Sequence, residues 1–470
     1  YALCQLFPKS FRQRTNLTPD LVVQLVQKLQ AGVRHIHAQN ILLVDLNEMN
    51  FLVAEDFGEL FFIDVDSYQT PSFPATALME SVRDRHARRF DDGSDWFSFA
   101  VVSFQMFIGI HPYKGTHKTL ATLDARMRAN VSVLNSAVTR PAVCLPLDVI
   151  PANWRVWYQA VLEDGKRLPP PEFWQDAITL ASMRLAPQID SRQFALSELY
   201  EFDSDVLWYF NGLAVTQQSV YEAGNRVAAV PAIGARIIRT PRHQHLLAAW
   251  LEGRTLHIRN LVTGAEVPSD LQGEQLMFTD GRLYLKAGAS LLEITFIELT
   301  TKLLVTAKPI GNVLPNATQL FAGVAIQNLL GAMYASFFPA AGTCFQVRMA
   351  ELDGQQIIEA QAQRNVLIVL AAKNGIYSKF IYRFTENYGE HDVRFCTDVT
   401  LTDINFAVLD SGVCLHFNDR DELELFAARP GALEIKVMRD GAVQSDHKLF
   451  HQQAQALLAS GNKLFRITMK

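Results

Sequence analysis

The 470-residue chain has no excess of positive charge, no long apolar run and no cysteine motif. Its 43 lysines and arginines are outnumbered by 48 aspartates and glutamates, for a formal net charge of −5. This balance excludes a basic protein that coats nucleic acid. No apolar run approaches the roughly 20 residues that a bilayer-spanning helix needs. The five cysteines form no C-x-x-C pair, so we expect neither a disulfide framework nor a zinc site, and a cytoplasmic location.

The sequence also has no initiating methionine and no signal peptide, because it begins at Tyr1 and no secretory leader follows. With 49% hydrophobic and 19% charged residues, the composition is that of a folded globular chain. At about 150 residues per domain, the length predicts two to four domains. We expect no nucleic-acid partner and no membrane partner.

The chain divides into two parts with different sequence patterns. Residues 1–200 carry helical periodicity: Thr18-Pro19 supplies a cap and a first-turn proline, and apolar residues then recur at helical spacing as far as Ile36. A second helix is predicted to begin at Asp95, and it is apolar on almost every side, which indicates burial. Two short β runs near residues 51–53 and 60–63 predict a hairpin between these helices.

From about residue 205 onward, short β runs replace the helical period, and turn pairs such as Asp280-Gly281 and Asn374-Gly375 separate them. Hydrophobic hairpins recur about 40 residues apart, which is typical of propeller blades. The sequence therefore predicts a multi-domain protein, with a mainly α lobe at 1–200 and an all-β domain at 205–470. We interpret the second domain as a six- or seven-bladed β-propeller. A pair of β-sandwiches is the alternative.

One loop after the first predicted helix carries side chains suited to phosphoryl transfer. Asp45 and Asn50 are five positions apart, and Asp64 follows at the end of the second β run. A carboxylate can orient or deprotonate a hydroxyl group, and an amide oxygen can ligate a hard cation. Phosphoryl transfer depends mainly on such positioning and on charge neutralisation.

These residues give positions 1–200 a resemblance to the C-terminal lobe of eukaryotic-like protein kinases, in particular to diverged bacterial and phage-type members. Asp45 and Asn50 match the catalytic-loop pattern H-R-D-x-x-x-x-N, and Asp64 matches the metal-binding residue of D-F-G. The helix from Asp95 is similar to the family's D-x-W-S-x-G helix. Two later landmarks, G-x-x-P-[FY] and D-x-R-P, are matched by Gly109–Tyr113 and Asp190–Arg192.

The resemblance implies roles for the loop residues. Asp45 is expected to act as the catalytic base, and Asn47 stands where kinases usually carry a lysine that contacts the transferred phosphate. Asn50 and Asp64 are expected to bind Mg²⁺ and, through it, ATP. A literal Asp56-Phe57-Gly58 is interpreted as a turn of the hairpin, because it follows Asn50 too closely to clear the first β run.

Structural roles are also implied. Asp95 is expected to be buried and to accept backbone N–H groups of the catalytic loop, and Glu80 is expected to pair with Arg192. The sequence departs from the family at Val44, which replaces the arginine that receives an activation-loop phosphate. A departure at Asn47 weakens charge stabilisation of the transferred phosphate.

The resemblance implies a Ser/Thr protein kinase that uses Mg²⁺ and ATP, fused to a propeller that recruits a protein substrate or partner. No glycine-rich loop or V-A-I-K strand precedes the catalytic loop, and residues 1–9 resemble the hinge that leaves an N-lobe. We therefore expect a fragment without the nucleotide-covering lobe. A pseudokinase or scaffold without catalysis is the first alternative. A small-molecule phosphotransferase of the aminoglycoside/choline type, which shares the Asp-x4-Asn spacing, is the second.

Overall fold

The computed structural model describes residues 1–75, 78–172, 193–242, 244–300, 302–432 and 434–470. Helices dominate the described chain up to residue 172, and seven antiparallel sheets occupy the described residues from 194 to the end. The two patterns seen in the sequence therefore correspond to two different kinds of structure.

The described part of residues 1–172 contains α-helices and one short hairpin. The helices are α1 Lys9–Thr15, α2 Pro19–His37, α3 Asp92–Ile108, α4 Leu123–Ala129 and α5 Ala152–Tyr158, and the hairpin strands are β1 Phe51–Val53 and β2 Leu60–Phe62. Helix α2 begins as its sequence predicts, because the Thr18 hydroxyl accepts a hydrogen bond from the Leu21 amide at 3.3 Å. Its apolar stripe is buried and supplies one side of the helical core.

Helix α3 begins at Asp92, one turn before the Asp95 start that we predicted. The reason is the cap: the Asp91 carboxylate accepts the Ser94 amide at 3.1 Å, and the Asp91 amide donates to the Ser94 hydroxyl at 3.0 Å. The helix is buried on all sides, as its uniformly apolar sequence indicates. It ends at Ile108, and the next residue, Gly109, caps it with a φ of 84° that favours glycine. A Cβ at Gly109 would lie 2.8 Å from a backbone oxygen.

The strands that follow form seven sheets within the described residues, six of four strands and one of three. The first strand of this part is β3 Phe194–Glu201. Blade 1 comprises β4 Val206–Phe210, β5 Leu213–Thr216, β6 Ser219–Glu222 and β7 Asn225–Ala229. Blade 2 comprises β8 Arg236–Arg239, β9 Leu246–Glu252 and β10 Thr255–Asn260. Blade 3 comprises β11 Gln275–Thr279, β12 Arg282–Ala287, β13 Ser290–Glu298 and β14 Leu303–Asn312. Each sheet is a meander of neighbouring strands, apart from the last one.

The remaining four blades follow the same plan. Blade 4 comprises β15 Thr318–Phe321, β16 Val324–Leu329, β17 Ala332–Phe337 and β18 Phe345–Arg348, and blade 5 comprises β19 Gln356–Gln363, β20 Val366–Lys373, β21 Ile376–Phe384 and β22 His391–Thr397. Blade 6 comprises β23 Phe406–Val408, β24 Val413–Phe417, β25 Leu423–Ala427 and β26 Ile435–Met438. Blade 7 contains β27 Lys448–Gln452, β28 Gln455–Ser460 and β29 Lys463–Met469. First strands of several neighbouring blades contact one another, namely β11 with β15, β15 with β19, β23 with β27 and β27 with β4. The blades of a propeller surround a central channel.

Blade 7 closes the ring with a strand from the other end of the domain. Strand β3 pairs antiparallel with β29 and is the outermost strand of that blade, with Leu196 opposite Ile467. The all-β domain is therefore a seven-bladed propeller, which confirms the propeller prediction and excludes the pair of β-sandwiches. Closure satisfies strand edges that would otherwise be open.

The helical region packs on the propeller face at which strand β19 begins. Its contacts are made by the ends of strands and the loops between them: the Lys114 ammonium donates to the Asp398 carboxylate at 2.8 Å, and the Ser10 amide donates to the Asp403 carboxylate at 3.0 Å. A single cluster of buried apolar side chains contains residues of α2 and α3 together with residues of blades 5 and 6. Burial of this shared apolar surface holds the two parts together.

A buried polar network joins blades 5 and 6. The Nζ of Lys379 lies 3.4 Å from Nε2 of His416, and Nδ1 of His416 lies 3.2 Å from a Glu424 carboxylate oxygen. Arg394 pairs with the same carboxylate. A neutral imidazole satisfies both neighbours, because it can accept from the lysine and donate to the carboxylate.

Candidate functional site

The candidate loop lies between α2 and β1, and a buried carboxylate orders it. The two oxygens of Asp95 accept the backbone amides of Leu43 at 2.8 Å and Val44 at 2.9 Å. The Nε2 of His37 lies 2.9 Å from the same carboxylate. Val44 has a φ of 59°, which is costly for a β-branched residue. The hydrogen bonds from Asp95 stabilise that conformation.

The structure brings Asp45 and Asn50 together, with Met79 beside them. One carboxylate oxygen of Asp45 accepts the Met79 amide at 2.6 Å, and the other lies 3.3 Å from the Asn50 side-chain nitrogen. The same nitrogen donates to the Asp45 carbonyl at 2.9 Å. Both oxygens of the predicted catalytic base are therefore engaged within the chain.

Asn47 faces the interior rather than a substrate. It is almost completely buried, at 1% exposure. Its side-chain oxygen accepts the Met49 amide at 2.8 Å, and its nitrogen lies 3.3 Å from the Asp45 carbonyl oxygen. In this position Asn47 shapes the loop, as asparagine does in many tight turns.

Asp64 lies at the end of β2, next to the loop. The amide of the preceding Ile63 donates to the Asn50 carbonyl at 3.0 Å, which connects the strand end to the loop. A hydrogen bond between the Asp64 and Asp66 carboxyl groups is the main cause that raises the pKa of Asp64, with smaller contributions from burial and from the charges of Asp66 and Asp45. Asp56 instead accepts the Gly58 amide at 2.8 Å within the hairpin turn.

The predicted Glu80–Arg192 pair falls partly outside the described residues, because Arg192 is not among them. Glu80 is exposed and lies 3.1 Å from the guanidinium groups of both Arg83 and Arg85. Within the described chain, no group of three or more histidine, cysteine, aspartate or glutamate side chains is arranged to hold a metal ion. Binding of Mg²⁺ and ATP at Asn50 and Asp64 stays a prediction.

Glu48, in the same loop, is a site residue that sequence reasoning missed. It is buried, and one oxygen accepts the Tyr377 hydroxyl at 2.7 Å and the Gln105 side-chain nitrogen at 3.3 Å. Burial raises the pKa of Glu48, and these hydrogen bonds oppose that shift. The neighbouring turn of blade 5 is equally close, because a Cβ on Gly375 would lie 2.1 Å from Cγ of Met79. No sequence signal connects Glu48 with a tyrosine 329 positions away.

Comparison with known proteins finds no matching protein-family model and no matching curated protein. Among solved structures, the chain is similar to Hsv2 from Kluyveromyces lactis, with 11% identity over 59% of this chain and 98% of that one, and a TM-score of 0.32. It is similar to the β-propeller domain of Cps50 (Swd1) from Myceliophteria thermophila, with 10% identity over 60% and 100% and a TM-score of 0.32. It is also similar to the N-terminal domain of Nup159, with 9% identity over 60% of this chain and 98% of that one, and a TM-score of 0.33. The seven-bladed architecture follows from the strand pairing of this chain itself.

The prediction of a protein kinase is wrong. No protein-family model and no curated protein that would support a kinase matches this chain, and the strand pairing of the described residues from 194 onward is that of a propeller. Within the loop, both oxygens of the Asp45 carboxylate accept hydrogen bonds from the chain itself, one from the Met79 amide and one from the Asn50 side chain.

Two further expectations concern the environment of the chain. Among the residues that the structure describes, no helix combines the length and apolarity that a membrane span requires. All five cysteines are free. The cytoplasmic location stays a prediction.

Proposed function

We propose that the protein is a non-catalytic scaffold, in which a seven-bladed propeller binds a protein partner and a kinase-like helical lobe is docked on one of its faces. A ring of blades presents many loops on a rigid frame, which is the arrangement that binding proteins use. In this proposal the described residues up to 172 keep the loop and helix arrangement of a kinase lobe as a structural element. The partner is recognised by the propeller.

One observation carries the proposal: the Asp45 carboxylate is used to fasten the loop. A general base must reach the hydroxyl from which it takes a proton, but one oxygen of Asp45 accepts the Met79 amide at 2.6 Å. The Met79 side chain lies against the Asn374-Gly375 turn of blade 5. The propeller therefore supports the contact that occupies the carboxylate.

The other loop contacts support a docking role as well. Glu48 takes its shortest hydrogen bond from Tyr377 of blade 5, and Asp95 holds the backbone that precedes Asp45. A loop fastened from both sides is suited to joining two parts of a protein. Exchange of substrates requires a loop that is open on one side.

The test compares phosphoryl transfer and partner binding in one set of variants. Purified protein is incubated with Mg²⁺ and ATP labelled on the γ-phosphate, alone and with generic protein substrates, beside Asp45→Asn. The matched control is Asp56→Asn, which changes a carboxylate of the hairpin turn. We expect no incorporation above the Asp45→Asn background. A protein captured by the propeller should bind all three forms equally. Incorporation that falls about tenfold or more in Asp45→Asn alone would refute the proposal.

A further inference from the structure

A cavity of about 970 Å³ lies at the mouth of the propeller channel, where α1 rests on the first strands of the blades. Asn16, at the end of α1, and Ile233, in the loop before β8, line this cavity and are both exposed. They mark its opening to solvent. The volume is within the range of pockets that bind small molecules.

Part of the charge in the cavity is satisfied by α1. The Ser10 amide donates to the Asp403 carboxylate at 3.0 Å, and the Gln13 side-chain nitrogen donates to Asp205 at 3.2 Å. The Lys448 ammonium donates to the Gln13 side-chain oxygen at 3.0 Å. These contacts account for two of the acidic groups and for one of the basic groups that line the cavity.

Four charged groups in the same cavity, Lys9, Arg14, Arg236 and Glu359, have no such partner in the described part of the chain, and the last three influence one another. Within the described residues, Arg14, Arg236 and Glu359 make no side-chain hydrogen bond and no ion pair, although all three line the cavity. Burial, and then the charge of Arg14, lower the pKa of Arg236 to about 10. Burial and the charge of Asp403 raise the pKa of Glu359 to about 7, while Arg14 opposes the rise.

Arg14 therefore lies within electrostatic reach of both other groups. Two guanidinium groups that repel each other inside a cavity are stabilised by an anion between them. The planar guanidinium fork suits the oxygens of a phosphate group, which it binds through paired N–H donors. The carboxyl group of Glu359, which lines the same cavity, can accept from a hydroxyl or an ammonium group of the same ligand.

We propose that this cavity binds a small phosphate monoester, with its phosphate held by Arg14 and Arg236 and its hydroxyl or ammonium group facing Glu359. The inference is independent of the scaffold proposal, because the cavity does not include the loop of Asp45. The ligand enters beside the end of α1. Its binding adds contacts between that helix and the propeller.

Calorimetric titration of the full chain tests this site with three probes: inorganic phosphate, glycerol 3-phosphate and O-phosphoserine. We expect a monoester to bind and Arg236→Gln to weaken its binding about tenfold or more, because charge-assisted hydrogen bonds are lost. Arg254→Gln is the matched control, since Arg254 lies in the same blade but pairs with Glu274 outside the cavity. The control is expected to bind as the wild type does.

Two further variants keep the proposal open to refutation if Arg236→Gln does not fold. Arg14 is exposed on α1, so Arg14→Gln should fold and should weaken monoester binding by a similar factor. Glu359→Gln should weaken monoesters and leave inorganic phosphate unchanged. No binding to the wild type at millimolar probe concentration, or monoester binding as tight as the wild type's in both arginine variants, would overturn the site. Equal binding of all three probes, unaffected by Glu359→Gln, would overturn the assignment to monoesters.

Discussion

The hydrogen bond between Tyr377 and Glu48 joins the propeller to the helical region. Its contribution to stability can be measured by removing one oxygen atom, the Tyr377 hydroxyl. Tyr377→Phe removes the hydroxyl that donates to the Glu48 carboxylate at 2.7 Å. The phenyl ring keeps its place in strand β21. The same hydroxyl lies 3.7 Å from Sδ of Met49, so the change removes a short hydrogen bond and a longer contact that cross between the two parts of the chain.

The expected loss of stability follows from the hydrogen bonds that the Glu48 carboxylate keeps in Tyr377→Phe. One Glu48 oxygen keeps only the longer hydrogen bond from Gln105, at 3.3 Å, and the other already has no partner in the described residues. Leaving a buried acceptor short of a hydrogen bond costs about 1–3 kcal/mol. We expect the free energy of unfolding to fall by that amount.

Strand β21 also provides the control. The Tyr382 hydroxyl is buried and has no hydrogen-bond partner among the described residues. Tyr382→Phe removes a polar atom that was never satisfied, so this change should be neutral or slightly stabilising. The two variants are chemically identical and differ only in the hydrogen bond that is lost.

Urea unfolding followed by tryptophan fluorescence measures both variants against the wild type. Hydrogen exchange adds local information, and exchange should accelerate in Tyr377→Phe at residues 43–50 and in the turn at residues 373–376. A Tyr377→Phe variant that costs no more than Tyr382→Phe would refute the reasoning. Unchanged exchange in the loop would refute it as well.

Two other predictions follow from the same structure. The first concerns pH. Burial and the charge of Lys379 lower the pKa of His416 from 6.5 to about 4. Burial raises the pKa of Glu424, but hydrogen bonds from His416 and Arg394 outweigh it and lower the pKa from 4.5 to about 2. As the pH falls, both groups are protonated in the unfolded chain before they are protonated in the folded one. The free energy of unfolding should therefore fall by roughly 3 kcal/mol between pH 6.5 and pH 4 because of His416, and should fall further below pH 4.5 because of Glu424. A flat pH profile, or an unchanged one in His416→Gln, would contradict this. Gly375→Ala should lower the melting temperature more than Gly212→Ala does, because both glycines have positive φ but only Gly375 would place a Cβ against a neighbour. Equal losses would show that this turn tolerates a side chain.

The helical part shows how far local patterns lead. The Thr18-Pro19 cap and the apolar spacing after it predict α2, which runs from Pro19 to His37. For α3 the predicted start is one turn late, because Asp91 and Ser94 cap each other. Both signals are local, and local signals survive folding when tertiary contacts agree with them.

The candidate loop shows where local patterns fail. The spacing of Asp45 and Asn50 places both on one loop, and the structure shows the Asn50 side-chain nitrogen 3.3 Å from the Asp45 carboxylate. It does not indicate that Met79 would occupy the carboxylate. That contact depends on the packing of a blade 5 turn nearly 300 positions further along the chain.

The sequence alone determined a helical part and a β part, the repeating hairpins, and an acidic surface without a membrane-spanning run. These properties depend on composition and on periods of a few residues, which are read directly from the chain. Only the tertiary structure decided that β3 completes blade 7, by pairing Ala195 with Thr468 across 273 positions. It likewise decided that Glu48, in the loop of Asp45, is hydrogen-bonded to Tyr377 of the propeller and that Arg14 and Arg236 line one cavity. Contacts between distant residues are set by how whole elements pack, and no local pattern encodes them.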